Sequence, residues 1–220
     1  MITIGIPCYK QAKYLPYAIE SALSQTVPCE VIVVNDGSPD ATLEVAGKYP
    51  VKVINQVNKG LSAARNTAIM NMTGDYFLPL DADDILQPNC VEKLQEVIDK
   101  TGADVVAPSF KAFGVSNGEV ILTAFTVEDL KTANRLPYFC AIKKEVLQAI
   151  GGYSTRMTWG WEDYHLWFDI MKRGYKICTL PEVLVLYRTK EQSMIHEANA
   201  HAQELWEQIY KDHAELFSQN

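Results

Sequence analysis

The segment Asp81-Ala82-Asp83 contains the two side chains of this sequence that are best placed to do chemistry. It follows residues 75–80, an apolar run that predicts a buried strand. Carboxylate oxygens in a loop are hard ligands, which suit Mg²⁺ or Mn²⁺ rather than a soft metal. Taken alone, the tripeptide is more typical of a solvated turn or a helix cap, so its surroundings have to decide between these interpretations.

Three further side chains lie near other predicted strand ends or near a helix entry. Tyr9 offers an aromatic surface for stacking, and Asp36 offers a hydrogen-bond acceptor for a nucleobase. Arg65 lies on a helix that begins after residues 58–60, where a guanidinium can reach phosphate oxygens. A structural alternative exists for each residue: a cap for Asp36, packing for Tyr9 and a surface charge for Arg65. Their combined spacing, beside a candidate metal loop, favours a diphosphate site.

A second acidic pair, Glu162 and Asp163, stands at the start of a predicted helix. Acidic residues favour the first turn of a helix, so the pair is also consistent with a cap. The two functions are compatible, because the start of a helix is well placed to face a cleft. Trp159 and Trp161 beside the pair are equally consistent with a sugar-stacking wall and with core packing.

The first half of the chain alternates strand and helix patterns with short connections. The predicted strands are 2–7, 30–35, 51–56 and 75–80, and the predicted helices are 15–23, 41–48, 61–72 and 88–101. Such repeated units imply a mostly parallel sheet with helices on both faces. Ligands of such sheets bind at the carboxyl ends of the strands. We therefore predict a single α/β domain whose site lies along one edge of the sheet.

The second half is less regular. Its predicted strands are 104–110, 120–125, 138–142, 176–180 and 183–187, with a hairpin turn at 116–118. A short helix is predicted to end at Gly151-Gly152, and another to follow residues 159–163. A long helix is predicted to form the C-terminal segment.

Composition and charge exclude several classes of protein. The 27 acidic and 20 basic residues give a formal charge of −7, which argues against a nucleic-acid binder with a basic face. No apolar run approaches the roughly 18 residues that a membrane helix requires, so no integral membrane segment is expected. Residues 1–10 lack the features of a signal peptide, and five scattered cysteines indicate reduced thiols. We expect a cytoplasmic protein, with peripheral membrane or partner-protein association left open.

Several longer stretches match one enzyme family in the family's order. They are IGIPCYKQAKYLPYAIESALSQT, EVIVVNDGSPD, NKGLSAARNTAI, GDYFLPLDADDIL, WGWEDYHLWFDIMKRGYK and LPEVLVLYR. The sequence resembles the family 2 glycosyltransferases, which are inverting enzymes of the GT-A fold, the Rossmann-like fold of nucleotide-diphospho-sugar transferases. The match spans nearly the whole chain and is far more specific than any single motif.

The resemblance implies roles for individual residues. The implied donor-binding set comprises Pro7, Tyr9, Asp36, Lys59, Arg65 and Asp81. Asp83 is implied to bind the metal directly, and Asp81 to touch the ribose or the metal shell. Asp163 is implied to be the catalytic base, with Glu162 beside it. Mn²⁺ or Mg²⁺ is the implied cofactor and a UDP-sugar the favoured donor, although dTDP or GDP would need only modest changes in the nucleotide pocket.

These assignments agree with the chemistry of inversion. An acceptor hydroxyl attacks the anomeric carbon on the face opposite the departing diphosphate, and a carboxylate there takes its proton, which contributes about 10²–10⁴-fold in rate. A metal ion stabilises the negative charge on the leaving phosphate, so two separate acidic sites are needed. The expected acceptor is a glycan or glycoconjugate, as in polysaccharide synthesis. We expect residues 1–103 to bind the nucleotide sugar, 104–190 to form the acceptor and catalytic half, and 191–220 to form a C-terminal helix.

Lys190 departs from the family pattern. Many relatives place a histidine two residues after the arginine of the Tyr-Arg pair, which lies at 187–188 in this sequence. A protonated lysine does not ligate a metal, but its ammonium group neutralises phosphate directly, so Lys190 is counted among the donor-binding residues. His196 is expected at the surface. The remaining histidines have no ligand spacing with one another and no predicted role: His165, His201 and His213.

Two other functions compete with this one. A sugar-phosphate nucleotidyltransferase also uses a nucleotide-binding α/β domain, but it usually carries a Gly-rich loop after the first strand, and residues 6–14 contain no glycine. A non-catalytic nucleotide- or glycan-binding relative has the same fold without turnover, because a fold does not fix a function. The acidic residues at both candidate sites argue against this loss, and Lys190 argues weakly for it.

Overall fold

Nine strands and ten helices make up residues 1–218, the part of the chain that the computed structural model describes. The strands are β1 (Ile2–Cys8), β2 (Glu30–Asp36), β3 (Lys52–Gln56), β4 (Tyr76–Pro79), β5 (Ile85–Leu86), β6 (Val105–Gly114), β7 (Gly118–Val120), β8 (Ala141–Lys143) and β9 (Ile177–Thr189). The helices are α1 (Leu15–Leu23), α2 (Thr42–Ala46), α3 (Leu61–Asn71), α4 (Cys90–Thr101), α5 (Val127–Thr132), α6 (Lys144–Ile150), α7 (Glu162–Lys172), α8 (Met194–Ala200), α9 (Ala202–Asp212) and α10 (Ala214–Phe217).

All nine described strands join one sheet. Its order is β3-β2-β1-β4-β8-β6-β9-β5, and β7 pairs with β6 beside this path. The first four strands of this order run parallel to one another, and β6 runs parallel to β9. The short β8 is antiparallel to both β4 and β6, so the two parallel groups run in the same direction. The predicted α/β class with a mostly parallel sheet is confirmed.

Helices cover the sheet on both faces. Along β2, Val31 and Val33 pack into the layer that contains α1, α2 and α4, whereas Ile32 and Val34 pack into the layer that contains α3, α6 and α7. Every residue of β1 is buried. Apolar side chains therefore point to both faces of the sheet, as expected for parallel strands between two layers of helices. This packing fixes the strand ends that carry the candidate site.

The C-terminal segment does not form the one long helix that the sequence predicted. It breaks into α8, α9 and α10, with His201 and His213 at the two junctions. The second break lets Phe217 pack on Phe168 of α7, with 5.6 Å between the ring centroids. Helical spacing within the segment does not encode this tertiary contact, and tertiary contacts override propensity. Residues 219 and 220 of the predicted helix lie outside the described residues.

The region between β6 and α6 also differs from the prediction. The predicted strand 120–125 is wrong, since β7 ends at Val120 and the chain then leads into α5. This unpredicted helix begins with a capping box between Thr126 and Asp129, a signal that the sequence carries. The predicted strand 138–142 moves to β8, because Tyr138 turns its hydroxyl to Asp84 at 2.6 Å instead of entering the ladder.

The two strands predicted at 176–180 and 183–187 are parts of one strand, β9. Its register against β6 shifts between Leu180 and Val183, where Pro181 interrupts the ladder. The two-residue β5, which the sequence did not predict, pairs with the second part of β9.

Two further features of the fold concern the cysteines and the length of the apolar helices. All five cysteines are free thiols. Within residues 1–218, no helix is long and apolar enough to cross a bilayer.

Candidate active site

A cleft of ≈ 520 Å³ lies at the carboxyl ends of β1, β2 and β4, within the usual range for a ligand pocket. The end of β9 and the start of α3 and of α7 complete its walls. The predicted site residues that line this larger cleft are Pro7, Tyr9, Asp36, Lys59, Asp81, Asp83, Glu162 and Lys190. The fold thus brings together side chains that are separated by more than 180 positions in the chain.

Asp36 at the end of β2 fixes the loop that leads into α3. Its carboxylate accepts hydrogen bonds from Gln56 Nε2 at 2.7 Å and from the backbone nitrogens of Lys59 and Gly60, both at 2.9 Å. Asp36 is buried within the cleft wall. It therefore orients the start of α3, while Lys59 presents an exposed side chain at the mouth of the cleft.

The loop after β4 places three carboxylates side by side. Asp81 Oδ1 accepts a hydrogen bond from Arg65 at 2.9 Å, and Asp83 Oδ2 pairs with Lys190 at 2.5 Å. Burial raises the pKa of Asp81; Arg65 opposes this rise, and Asp83 adds to it. The other oxygen of each of these two carboxylates accepts no hydrogen bond from residues 1–218. The loop therefore presents two unshared carboxylate oxygens toward the cleft.

Asp84, the third carboxylate, is buried and fixes this loop through hydrogen bonds. It accepts a hydrogen bond from Tyr138 Oη and another from the backbone nitrogen of Arg188, both at 2.6 Å. Tyr138 Oη in turn accepts a hydrogen bond from the backbone nitrogen of Asp81 at 2.8 Å. Asp84 was not among the predicted site residues, although its place directly after Asp83 in a run of acidic residues could have indicated a role.

Arg65 lies in the interior between the two acidic sites. Its side chain is 1% exposed, and it pairs with Asp81 on one side and with Glu162 on the other. The guanidinium also lies over the rings of Tyr138 and Tyr153, at 4.8 and 5.2 Å. It would have to leave a carboxylate to reach a phosphate. In this structure Arg65 instead joins the loop after β4 to the start of α7.

A smaller cleft of ≈ 420 Å³ adjoins the larger one. Asp163 lines this cleft and not the larger one, together with Asn134 and Trp161. Asp81, Glu162 and Tyr187 line both clefts, as do Met194 and Ile195 of α8. The boundary between the two clefts therefore consists of two carboxylates, one tyrosine and the apolar side chains of Leu61, Met194 and Ile195.

Asp163 is poised to accept a proton near neutral pH. Its carboxylate accepts hydrogen bonds from the backbone nitrogen of Tyr164 at 2.7 Å and from Asn134 Nδ2 at 3.2 Å. Burial raises the pKa of Asp163 to about 7, and the neighbouring charge of Glu162 adds to the effect. A carboxyl group with this pKa is matched to general base catalysis at physiological pH.

Trp161, just before α7, adopts a left-handed backbone conformation with φ 59°. Such a conformation costs on the order of 1–3 kcal/mol for a non-glycine residue and clusters at functional sites. Its ring packs against Tyr164 and Trp206, with 5.7 and 5.9 Å between centroids. Trp159 stacks on His201 at 4.0 Å. Trp161 therefore both packs in the core and lines the smaller cleft, and the strained turn aims the start of α7 at the boundary between the clefts.

The family is decided by direct comparison. The family model for Glycosyl transferase family 2 matches residues 3–160, which is more than half of the chain. The chain belongs to this family. The predicted family and the predicted enzyme class, a glycosyltransferase, are confirmed.

Two pneumococcal proteins are similar to this family 2 glycosyltransferase in sequence. It is 29% identical to glycosyltransferase GlyG of Streptococcus pneumoniae over 222 residues, which cover 89% of this chain and 73% of GlyG. It is 37% identical to glycosyltransferase GlyA of the same organism over 123 residues, which cover 53% of this chain and 18% of GlyA. The Escherichia coli chondroitin synthase is 41% identical over 98 residues, 42% of this chain and 14% of that enzyme. The chain thus matches only a small part of GlyA and of the synthase.

Solved structures share the fold. S. aureus TarS 1–349 in complex with UDP-GlcNAc superposes with a TM-score of 0.83 at 20% identity, covering 98% of this chain and 66% of that one. The mannosyltransferase PcManGT from Pyrobaculum calidifontis, in complex with GDP-Man and Mn²⁺, gives a TM-score of 0.72 at 18% identity, covering 99% and 68%. The predicted GT-A fold is confirmed, and the assigned roles of individual residues stay predictions.

Proposed function

We propose that this family 2 glycosyltransferase is an inverting enzyme that moves a sugar from a nucleoside-diphosphate sugar, with UDP favoured, to a hydroxyl of a glycan or glycoconjugate. The observation that carries the proposal is the meeting of the two clefts at Asp81, Glu162 and Tyr187, with the acidic loop on one side and Asp163 on the other. Inversion needs the leaving group and the attacking hydroxyl on opposite faces of one carbon. Two adjoining clefts with separate acidic groups meet this requirement.

The larger cleft is the proposed donor site. Tyr9 lies exposed at its mouth, where a base can stack, and Pro7 lies beside it. Asp36 keeps acceptor capacity on an oxygen with a single hydrogen bond, that from Gly60. Lys59 and Lys190 supply the positive charge that a diphosphate needs. The UDP-sugar and GDP-sugar found in TarS and PcManGT support a donor of this chemical class.

The loop after β4 is the proposed metal site. Asp81 and Asp83 each present an unshared carboxylate oxygen, and such hard oxygen donors fit Mn²⁺ or Mg²⁺. Burial raises the pKa of Asp81 and the charge of Asp83 adds to this rise, so a dication beside them would stabilise both ionised carboxylates. The ion supplies positive charge against the departing diphosphate. Lys190 already pairs with Asp83, so it shares this neutralising task and stands where many relatives have a histidine.

The smaller cleft is the proposed acceptor site, with Asp163 as the general base. A hydroxyl bound beside Asp163 loses its proton to the carboxylate as its oxygen bonds to the anomeric carbon and the bond to the diphosphate breaks. Glu162 is held by Arg65 and acts as a positioning residue at the boundary. We accordingly propose residues 1–103 as the donor half and 104–190 as the acceptor half of one domain. The similarity to chondroitin synthase supports a polysaccharide acceptor.

Calorimetric titration with UDP, GDP and dTDP, with and without Mn²⁺, tests the donor site. We expect binding that strengthens with Mn²⁺ in the wild-type chain and loses this dependence in Asp83→Ala. Asp99→Ala, on the exposed face of α4, is the matched control and should bind as the wild type does. Absence of binding for all three nucleotides would remove the donor site from this cleft. Equal binding with and without metal would assign phosphate neutralisation to the lysines alone.

A further inference from the structure

A second cluster of polar side chains lies on α7, separate from both clefts. His165 and Asp169 are one turn apart on α7, and His213 lies at the junction of α9 and α10. One potential ligand atom from each of the three residues lies within 4.8 Å of the others. None of the three lines the larger or the smaller cleft. The fold has brought together histidines that are 48 positions apart in the chain and that the sequence left without a role.

His213 is the least satisfied polar side chain of this cluster. It is fully buried, and neither ring nitrogen has a hydrogen-bond partner among the described residues. Asp169 Oδ1 lies 4.0 Å from its Nδ1, beyond hydrogen-bond distance. Buried polar atoms are nearly always partnered, so two unpartnered nitrogens on one ring need an explanation.

His165 is already oriented as a ligand. Its Nε2 lies 3.0 Å from Asp212 Oδ2, and that carboxylate also accepts from Gln208 and pairs with Arg156. A carboxylate only accepts, so Nε2 of His165 donates to Asp212, and Nδ1 is the nitrogen left to face Asp169 and a metal ion. Nδ1 faces Asp169 Oδ2 at 3.5 Å. A carboxylate that holds the far nitrogen of a histidine is the usual support of a metal-bound imidazole.

The donor set and its spacing fit zinc. Two imidazoles and one carboxylate, with one position open, form a common zinc coordination set, and bonds of about 2.0–2.2 Å place tetrahedral ligand atoms about 3.4 Å apart. The contacts of 3.5 and 4.0 Å, which involve different oxygens of Asp169, are close to this spacing, and one set of three ligand atoms lies within 4.8 Å. Imidazole favours zinc over the harder ions that suit the loop after β4.

We propose that His165, Asp169 and His213 bind one Zn²⁺ ion, which ties the C-terminal segment to the helix that begins with Glu162 and Asp163. Asp212, oriented by Arg156 and Gln208, positions His165 for this bond. The site does not depend on the proposed transfer reaction. His165 lies in the first turn of α7, so the ion stabilises this helix close to its catalytic end.

Metal binding to the full-length chain tests the proposal, with Asp83→Ala as background so that the loop after β4 does not contribute. The protein is stripped with EDTA and titrated with Zn²⁺ by calorimetry and with Co²⁺ by visible spectroscopy. We expect one equivalent of Zn²⁺, a tetrahedral Co²⁺ spectrum, and a Tm increase of about 5–10 °C at a zinc concentration 100 times Kd. No binding, or a six-coordinate Co²⁺ spectrum, overturns the proposal.

Variants of the cluster assign the ligands. Asp169→Asn keeps the shape of the side chain, and it and His165→Gln should each weaken Zn²⁺ binding by about 100-fold or more, while Asp212→Asn should weaken it by about 10–100-fold. His201→Gln is the matched control, because His201 stacks on Trp159 outside the cluster and its loss should leave the affinity unchanged. Zinc binding by Asp169→Asn that is as tight as in the control overturns the assignment even if the parent binds zinc.

Discussion

At the level of single residues, the site consists of carboxylates on two elements with one arginine between them. Arg65 is almost fully buried and pairs with Asp81 and Glu162, so it links the acidic loop to the start of α7. Removing either partner of a buried charge that is paired on two sides strongly destabilises the folded protein. Asp163, next to Glu162, has only an amide and a backbone nitrogen as partners. It is therefore the acidic group beside the boundary that is free to take a proton.

Asp163→Asn removes the proposed base and keeps its shape. We expect donor turnover to fall by about 10²–10⁴-fold. Nucleotide Kd should not change, because Asp163 lies in the smaller cleft alone. UDP release from a panel of UDP-sugars measures turnover, and Asp99→Asn on α4 is the matched surface control. Parallel losses of nucleotide binding and turnover would contradict the assignment.

Arg65→Met removes the guanidinium and leaves two carboxylates without their partner. We expect a loss of about 3–5 kcal/mol in the free energy of unfolding, measured in urea. The double variant Arg65→Met/Glu162→Gln should recover part of this loss, because it no longer holds an unpaired carboxylate at position 162. Purely additive effects of the two substitutions would mean that the Arg65–Glu162 pair contributes nothing.

At the scale of elements, the site depends on turns that aim strand ends and helix starts at one cleft. The turn after β2 is one of them. Gly37 has φ +64°, and a Cβ there would lie 2.6 Å from the backbone nitrogen of Asn58. Asn58 leads directly into Lys59 and Gly60, whose backbone nitrogens donate to Asp36. The turn therefore decides where α3 begins.

Gly37→Ala should disturb this contact. We expect a loss of about 1–3 kcal/mol in the free energy of unfolding from the left-handed backbone and the clash with Asn58. Weaker nucleotide binding should accompany it, because the start of α3 shifts. Gly118→Ala on β7, where a Cβ meets nothing within 4 Å, is the matched control and should stay within about 0.5 kcal/mol of the wild type. Thermal unfolding and calorimetry measure the two effects, and equal behaviour of the two variants would refute the expectation.

At the scale of the whole molecule, the clefts are assembled from distant parts of the chain. The short antiparallel β8 joins the parallel group around β1 to the parallel pair β6 and β9, so their carboxyl ends share one edge. Met194 and Ile195 of α8 line both clefts, so the C-terminal segment closes a site that the earlier elements leave open. The proposed zinc site anchors the same segment further along α7.

One part of the pH dependence of the protein follows from Asp163, whose pKa is raised from 3.8 to about 7 by burial and by Glu162. A base works unprotonated, so turnover should rise as the pH increases through about 7. Stability changes in the opposite sense: over this window the folded protein keeps a proton that the unfolded chain releases, so the free energy of unfolding falls as the pH rises from about 4 to about 7. Urea unfolding at several pH values should show a smaller fall for Asp163→Asn, in which the raised pKa values of Asp81 and Asp84 remain. An identical pH profile for the variant and the wild type would contradict the raised pKa.

The sequence by itself determined the order of elements in the first half, the α/β class and the family, because apolar periodicity and the contiguous stretches around Asp36, Asp81 and Asp163 are local signals. It also determined which residues are candidates for the site. Only the tertiary structure decided that Arg65 is buried between two carboxylates, that Asp84 supports the loop from behind, and that the last helix breaks at His213. Each of these depends on contacts between residues far apart in the chain. The sequence around a single residue such as His165 or His213 does not indicate which partner packing places beside it.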